Sequence, residues 1–144
     1  MSKVVEMDNS MSEEVKVITG RAVAGDPDAQ HYLGYSYYFG VGVMCDEEVA
    51  ERWIRRAAAS GSYQAMSSLA GRLFAESGWY FFEGDFDTGT EVLIQAICWT
   101  IRASEGTEVD FAFIEELLRS GGLDPAPYFD IAYSRLADIN VTVH

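Results

Sequence analysis

Residues 25–61, GDPDAQHYLGYSYYFGVGVMCDEEVAERWIRRAAASG, decide how this chain folds, because two helical patterns meet in them at a glycine-rich turn. Asp26 followed by Pro27 offers an N-cap and then a proline at the first helical position, where its missing N–H is not needed. Ala29, Tyr32, Leu33 and Tyr37 recur at the spacing of one helix face, so a helix is expected near 28–39 with those four side chains inward. A second is expected near 47–60. Val49, Ala50, Trp53, Ile54, Ala57 and Ala58 make its apolar side, while Glu47, Glu48, Glu51, Arg52, Arg55 and Arg56 make the other. Gly40-Val41-Gly42 supplies the backbone freedom for the reversal between them.

The same spacing returns elsewhere. Gly25 and Gly61, Ala29 and Ala65, and Leu33 and Leu69 are each 36 positions apart, and the same step backward carries Ala58 to Ala22 and Trp53 to Val17. Ala50, Trp53 and Ala57 recur as Ala96, Trp99 and Ala103, 46 positions on, so the second unit holds ten extra residues between its anchors. A repeat of this size implies stacked supersecondary units that bury their apolar faces on one another.

Gly25, Ala29, Leu33, Gly34, Tyr37, Gly40, Gly42, Ala50, Trp53, Ala57, Ala58 and Gly61 together resemble the Sel-one-like repeat (SLR, Sel1-like), a relative of the tetratricopeptide repeats. The match covers 25–61 well, with 12–24, 61–105 and 106–138 as degenerate units. The resemblance implies one all-α domain over 1–144, a helical-repeat solenoid or α/α superhelix of about seven helices in antiparallel pairs. It also implies a protein-binding role.

Outside the central repeat, Met1–Ser10 reads as polar and loose, and Ser10-x-x-Glu13 as a capping box opening a helix with Val15, Ile18 and Ala22 inward. The helix after Gly61-Ser62 carries Ala65, Leu69, Leu73 and Phe74; it either stops at Ala75–Gly78 or runs on through Trp79–Phe82 to Gly84. Thr88-x-x-Glu91 reads as a second capping box, opening a nearly all-apolar helix over 89–104 that should lie buried mid-stack. Val109, Phe111, Phe113, Ile114, Leu117 and Leu118 mark a helix ending at Gly121-Gly122. Asp124-Pro125 starts a last one with Tyr128, Phe129, Ile131, Ala132, Tyr133 and Leu136.

With 23 acidic against 10 basic residues the formal net charge is −13, which argues against nucleic acid or an anionic membrane and favours a basic protein partner. No apolar run is long enough for a signal peptide or a bilayer span, and Cys45 and Cys98 make a poor disulfide framework, so the cytoplasm is expected. Asn140-Val141-Thr142 is a glycosylation sequon without a secretory context.

Chemistry is sparsely signalled. His31 and His144 are the only histidines, no metal-ligand spacing is present, and no cofactor is implied. Gly40–Cys45 has the glycines of a phosphate loop, yet it follows a helix, lacks the lysine, and is explained by the repeat turn. A few SLR proteins are linked to β-lactam hydrolysis, but no Ser-x-x-Lys occurs here.

The ten-residue excess is the better candidate. It joins Trp79, Tyr80, Phe81, Phe82 and Phe86 to Glu76, Glu83, Asp85 and Asp87, and aromatic anchors inside an acidic rim suit a basic protein. Packing of Trp79, Phe81 and Phe82 as core is the competing expectation. Tyr35 and Tyr38, with Gln30, His31, Gln64, Ser67 and Arg72, are expected on the face lined by the first helices of each pair. The partner-binding candidates are therefore Trp79, Tyr80, Glu83, Asp85, Phe86, Asp87, Tyr35 and Tyr38. Within the protein-binding class the concrete expectation is an immunity-type protein neutralising a basic toxin; the alternative is an adaptor in signalling or secretion.

Overall fold

A computed structural model describes residues 10–104 and 111–142. Every regular element among them is an α-helix: α1 Glu13–Val23, α2 Pro27–Phe39, α3 Glu47–Ala59, α4 Tyr63–Phe82, α5 Phe86–Ala103, α6 Ala112–Ser120 and α7 Pro125–Thr142. The all-α reading and, among the described residues, the number of helices hold. By packing, the chain divides into two compact units, Met1–Met66 and Ser67–His144, with the division inside α4.

The 36-residue step is written in the backbone. Gly25 and Gly61 adopt φ of 104° and 105°. After α1, the Gly25 N–H donates to Ala22 O at 3.1 Å and Asp26 N–H to Arg21 O at 3.1 Å; after α3, Gly61 donates to Ala58 O at 3.2 Å and Ser62 to Ala57 O at 2.9 Å. Two such bonds around a left-handed residue satisfy the carbonyls that a helix end leaves open, and a residue without Cβ enters that region at least cost. The same closure ends α4 at Gly84 and α6 at Gly122, where the sequence match had faded.

In the first unit, Met11, Val15, Ala22, Ala29 and Leu33 form the core, with Ile18, Tyr37, Val43 and Trp53 packed against it. Leu33 is fully buried, a contribution of about 1.5–3 kcal/mol relative to leaving it in water. Gly34 lets α2 approach α3: a Cβ there would lie 2.6 Å from Ile54 Cδ1 and 3.2 Å from the Ala50 carbonyl oxygen. Asp46 then caps α3 by accepting the Val49 N–H at 3.1 Å.

Several expectations are corrected here. Ser12, not Ser10, caps α1, accepting the Val15 N–H at 3.2 Å. Tyr32 faces solvent and its hydroxyl donates to Glu14 at 3.4 Å, whereas Tyr37 packs on the core as expected. Gln30 is buried, its Nε2 donating to Ala22 O at 3.0 Å, so it belongs to no surface.

The second unit is built on Leu93, Ile94, Ile97, Ile114, Leu118 and Ala132, flanked by Phe74, Phe81, Phe111 and Phe129 among others. Helix α5 buries Val92, Leu93, Ile94, Ala96 and Ile97, whereas Cys98, Trp99 and Ile101, expected to be buried with them, are half-buried. Helix α5 opens earlier than the sequence implied: Asp85 caps it through the Thr88 N–H at 3.1 Å. Thr88-x-x-Glu91 is therefore no capping box, and Glu91 instead accepts two bonds from Arg135 of α7, at 2.6 and 2.8 Å. Of the expected sixth helix, Val109 lies outside the described residues, as do most of Met1–Ser10 and His144.

Trp53 and Trp99 are equivalent, but half-buried rather than core residues. Each lies under the guanidinium three positions on, Arg56 at 5.3 Å and Arg102 at 4.7 Å from the ring centroid. One helical turn places the arginine over the ring face, where the π cloud attracts the cation.

Candidate protein-binding surface

The ten extra residues of the second unit lengthen a helix and make no loop. Helix α4 runs 20 residues against 13 for α2, and four consecutive aromatic residues fall in its last turn. Successive positions on a helix point about 100° apart, so four in a row cannot all face inward. Phe81 takes the core direction, packs on the apolar cluster and lies close over Gly89, where an added Cβ would be 3.1 Å from its ring. Tyr80 is half-buried.

Trp79 and Phe82, three apart, share the opposite face and are 61% and 81% exposed, with ring centroids 6.1 Å apart. Phe86, at the start of α5, is 65% exposed, 6.1 Å from Phe81. Glu76, Glu83, Asp85 and Asp87 of the same stretch are exposed, and no Lys or Arg occurs between 76 and 87. By helical spacing Glu76 and Glu83 fall one turn either side of Trp79. Hydrogen bonds from Thr88, hydroxyl first and then amide, hold the Asp85 carboxyl below its usual range, so it stays charged at neutral pH. The geometry thus separates two readings that the sequence left open: Phe81 is core, while Trp79, Phe82 and Phe86 are surface.

The first unit carries a second exposed aromatic group. Tyr35 (50% exposed), Tyr38 and Phe39 (60%) lie ring against ring, with centroids 4.6 Å apart for Tyr35–Phe39 and 4.9 Å for Tyr38–Phe39. Val41 and Met44 beyond the α2 turn are also exposed, so this patch is apolar rather than acidic. Phe39 and Phe82 are outside the eight candidates chosen from the sequence, although Phe82 is read there as part of the aromatic excess. The signal for both is present there, as Phe82 lies one turn from Trp79 and Phe39 adjoins Tyr38.

Burial pushes the Cys98 thiol upward, the reverse of what a thiolate nucleophile needs, and its Sγ–H points to Ala132 O at 3.8 Å. The Cys45 Sγ–H donates to Tyr38 O at 3.2 Å. His31 is half-buried, and that burial lowers its imidazole below the ordinary value against the opposing pull of Asp28. Among the described residues no three His, Cys, Asp or Glu side chains are grouped to hold a metal ion, and no helix is long and apolar enough to cross a membrane.

No protein-family model, curated protein or solved structure matches this chain.

Proposed function

We propose that this chain is a non-enzymatic protein-binding module of the helical-repeat class, an SLR-type solenoid acting in the cytoplasm. On this reading it grips a basic partner with the surface Trp79–Phe82–Phe86 and the carboxylates around it. One observation carries the proposal: three large rings stand in solvent within a stretch that holds four carboxylates and no cation. Large aromatic side chains are frequent anchors when a partner covers them, and rim charges of one sign steer a partner of the other. The concrete form of the reading is an immunity-type inhibitor of a basic toxin; an adaptor role would use the same surface on a different partner.

Affinity capture from the native host tests this when wild type is run beside two variants, Trp79→Ala and the triple variant Glu76→Ser, Glu83→Ser, Asp87→Ser. Asp85 is left intact because it caps α5. A basic protein that wild type retains and both variants lose, with unchanged circular dichroism, is the expected result. Equal recovery by all three would move the site away from α4. An adjacent toxin gene would favour the immunity role over the adaptor role.

A further inference from the structure

The second unit holds a groove that neither the repeat pattern nor the α4 surface accounts for. It runs between α6 and α7 with a volume of about 300 Å³. Glu115 and Arg119 of α6 line one wall, one turn apart; Ala126, Asp130 and Tyr133 of α7 line the other. Phe111 and Phe129 pair edge to face across it at 5.2 Å, and both belong to the apolar cluster beneath, so its floor is continuous with the core. Pro125 and Asp124 close the end at the turn.

The charges in this groove do not cancel. Arg119 is bound to Glu115 at 3.2 Å, which neutralises both. Among the described residues, Asp124 accepts the Ala126 N–H of its own turn, at 3.2 Å, and has no ion-pair partner. Asp130 has neither an ion-pair nor a hydrogen-bond partner among the described residues, and it stands exposed beside the aromatic floor. Two carboxylates over apolar rings are complementary to one kind of group: a side chain with an apolar stem and a cationic head. The groove's volume, at the lower end of the about 300–1,000 Å³ usual for ligand pockets, is ample for one such side chain.

We infer that the α6–α7 groove receives a single arginine side chain of a basic partner protein. The aliphatic stem lies on Phe111, Pro125 and Phe129, as arginine stems commonly lie on apolar surface. The guanidinium reaches Asp130 and Asp124, and its planar fork can donate to carboxylates in the paired geometry that lysine cannot offer. This inference rests on the basic-partner reading but names a different surface, so the two can fail separately.

The test uses the full chain and an acetylated, amidated Gly-Gly-Arg-Gly-Gly peptide, followed by backbone amide shifts in an NMR titration. Saturable shifts at Glu115, Arg119, Ala126, Asp130 and Tyr133 are expected. Replacing the peptide arginine by citrulline, which keeps the shape and removes the charge, should weaken binding roughly tenfold, and Asp130→Asn should weaken it several-fold. Glu48→Gln, on the exposed side of α3, should change nothing. Shifts centred instead on Trp79–Asp87 would overturn the groove and leave the basic-partner reading standing. Equal binding of the arginine and citrulline peptides, or no saturable shift at all, would overturn the groove as well.

Discussion

Replacing Gly34 by alanine sets two effects against each other, and the structure decides the sign. In a helix interior, alanine is favoured over glycine by about 1 kcal/mol, so propensity alone predicts stabilisation. Opposing it, the new Cβ would lie 2.6 Å from Ile54 Cδ1, 2.8 Å from Ile54 Cγ1 and 3.2 Å from the Ala50 carbonyl oxygen. Ile54 is itself buried, and the carbonyl is part of the α3 backbone, so neither can step aside freely. The helices must part or Ile54 must leave its rotamer. Overpacking of this kind costs about 1–3 kcal/mol, and a contact with facing backbone belongs at the upper end. After the propensity gain, Gly34→Ala should lose about 2 kcal/mol, a drop in midpoint on the order of 5–8 °C. Gly71 is the control, since it is exposed in α4 and a Cβ added there would meet nothing within 4 Å. Gly71→Ala should gain about 0.5–1 kcal/mol. Adding Ile54→Val removes the closest atom, so the double variant should be better than the two single losses summed, by more than about 0.5 kcal/mol. Thermal and urea unfolding followed by circular dichroism read all of these proteins. A Gly34→Ala variant stabilised as much as Gly71→Ala would refute the close approach of α2 and α3.

Three further outcomes follow from the packing and the charges. Ala57 is fully buried, so Ala57→Leu should destabilise by about 1–3 kcal/mol, and unchanged thermal unfolding would contradict the assigned register. Trp53→Ala should cost about 2 kcal/mol, below the 3–5 typical of a core tryptophan because one side lies under Arg56 and is half-exposed; unfolding in urea measures it, and a loss above about 4 kcal/mol would contradict that placement. The Glu91 carboxyl is held below its ordinary value of 4.5, chiefly by its hydrogen bonds from Arg135. A depressed carboxyl contributes stability that is present above that ordinary value and is lost as pH falls through the folded one. Both side chains are over 40% exposed, which limits the pair to less than about 1 kcal/mol. Arg135→Met should thus differ from wild type at neutral pH and converge with it once the pH has fallen well below the ordinary carboxylate value, as read in urea titrations; a gap that persists in acid would assign the effect to packing.

Much of the fold was legible because helix periodicity, caps and glycine stops are local. The Gly25 and Gly61 turns, the Asp26 cap and the apolar faces of α3 and α5 could all be read from spacing. The extent of α4 could not. Ala75-Glu76-Ser77-Gly78 has the composition of a stop, but the Ser77 hydroxyl donates to Phe74 O at 2.7 Å within the helix, and Phe81 anchors the following turn in the core. Composition ranks residues that break helices; it does not show that tertiary packing overrules them. The candidate site was half legible for the same reason. Which of Trp79, Phe81 and Phe82 faces water depends on the phase of α4 against α5, and one residue of phase turns a ring by about 100°. The α6–α7 groove was invisible, since Glu115 and Asp130 meet only once two helices are placed.

The most direct test of the binding surface is the association of this chain with its captured partner, followed over a series of salt concentrations by surface-immobilised kinetics. The on-rate of wild type should fall steeply with salt. The Glu76→Ser, Glu83→Ser, Asp87→Ser variant should associate more slowly, with a flatter dependence and a nearly unchanged off-rate. Trp79→Ala should leave the on-rate in place and speed dissociation by roughly thirtyfold, the equivalent of about 2 kcal/mol. Wild-type kinetics in both folded variants would contradict the claim that this chain binds through the end of α4.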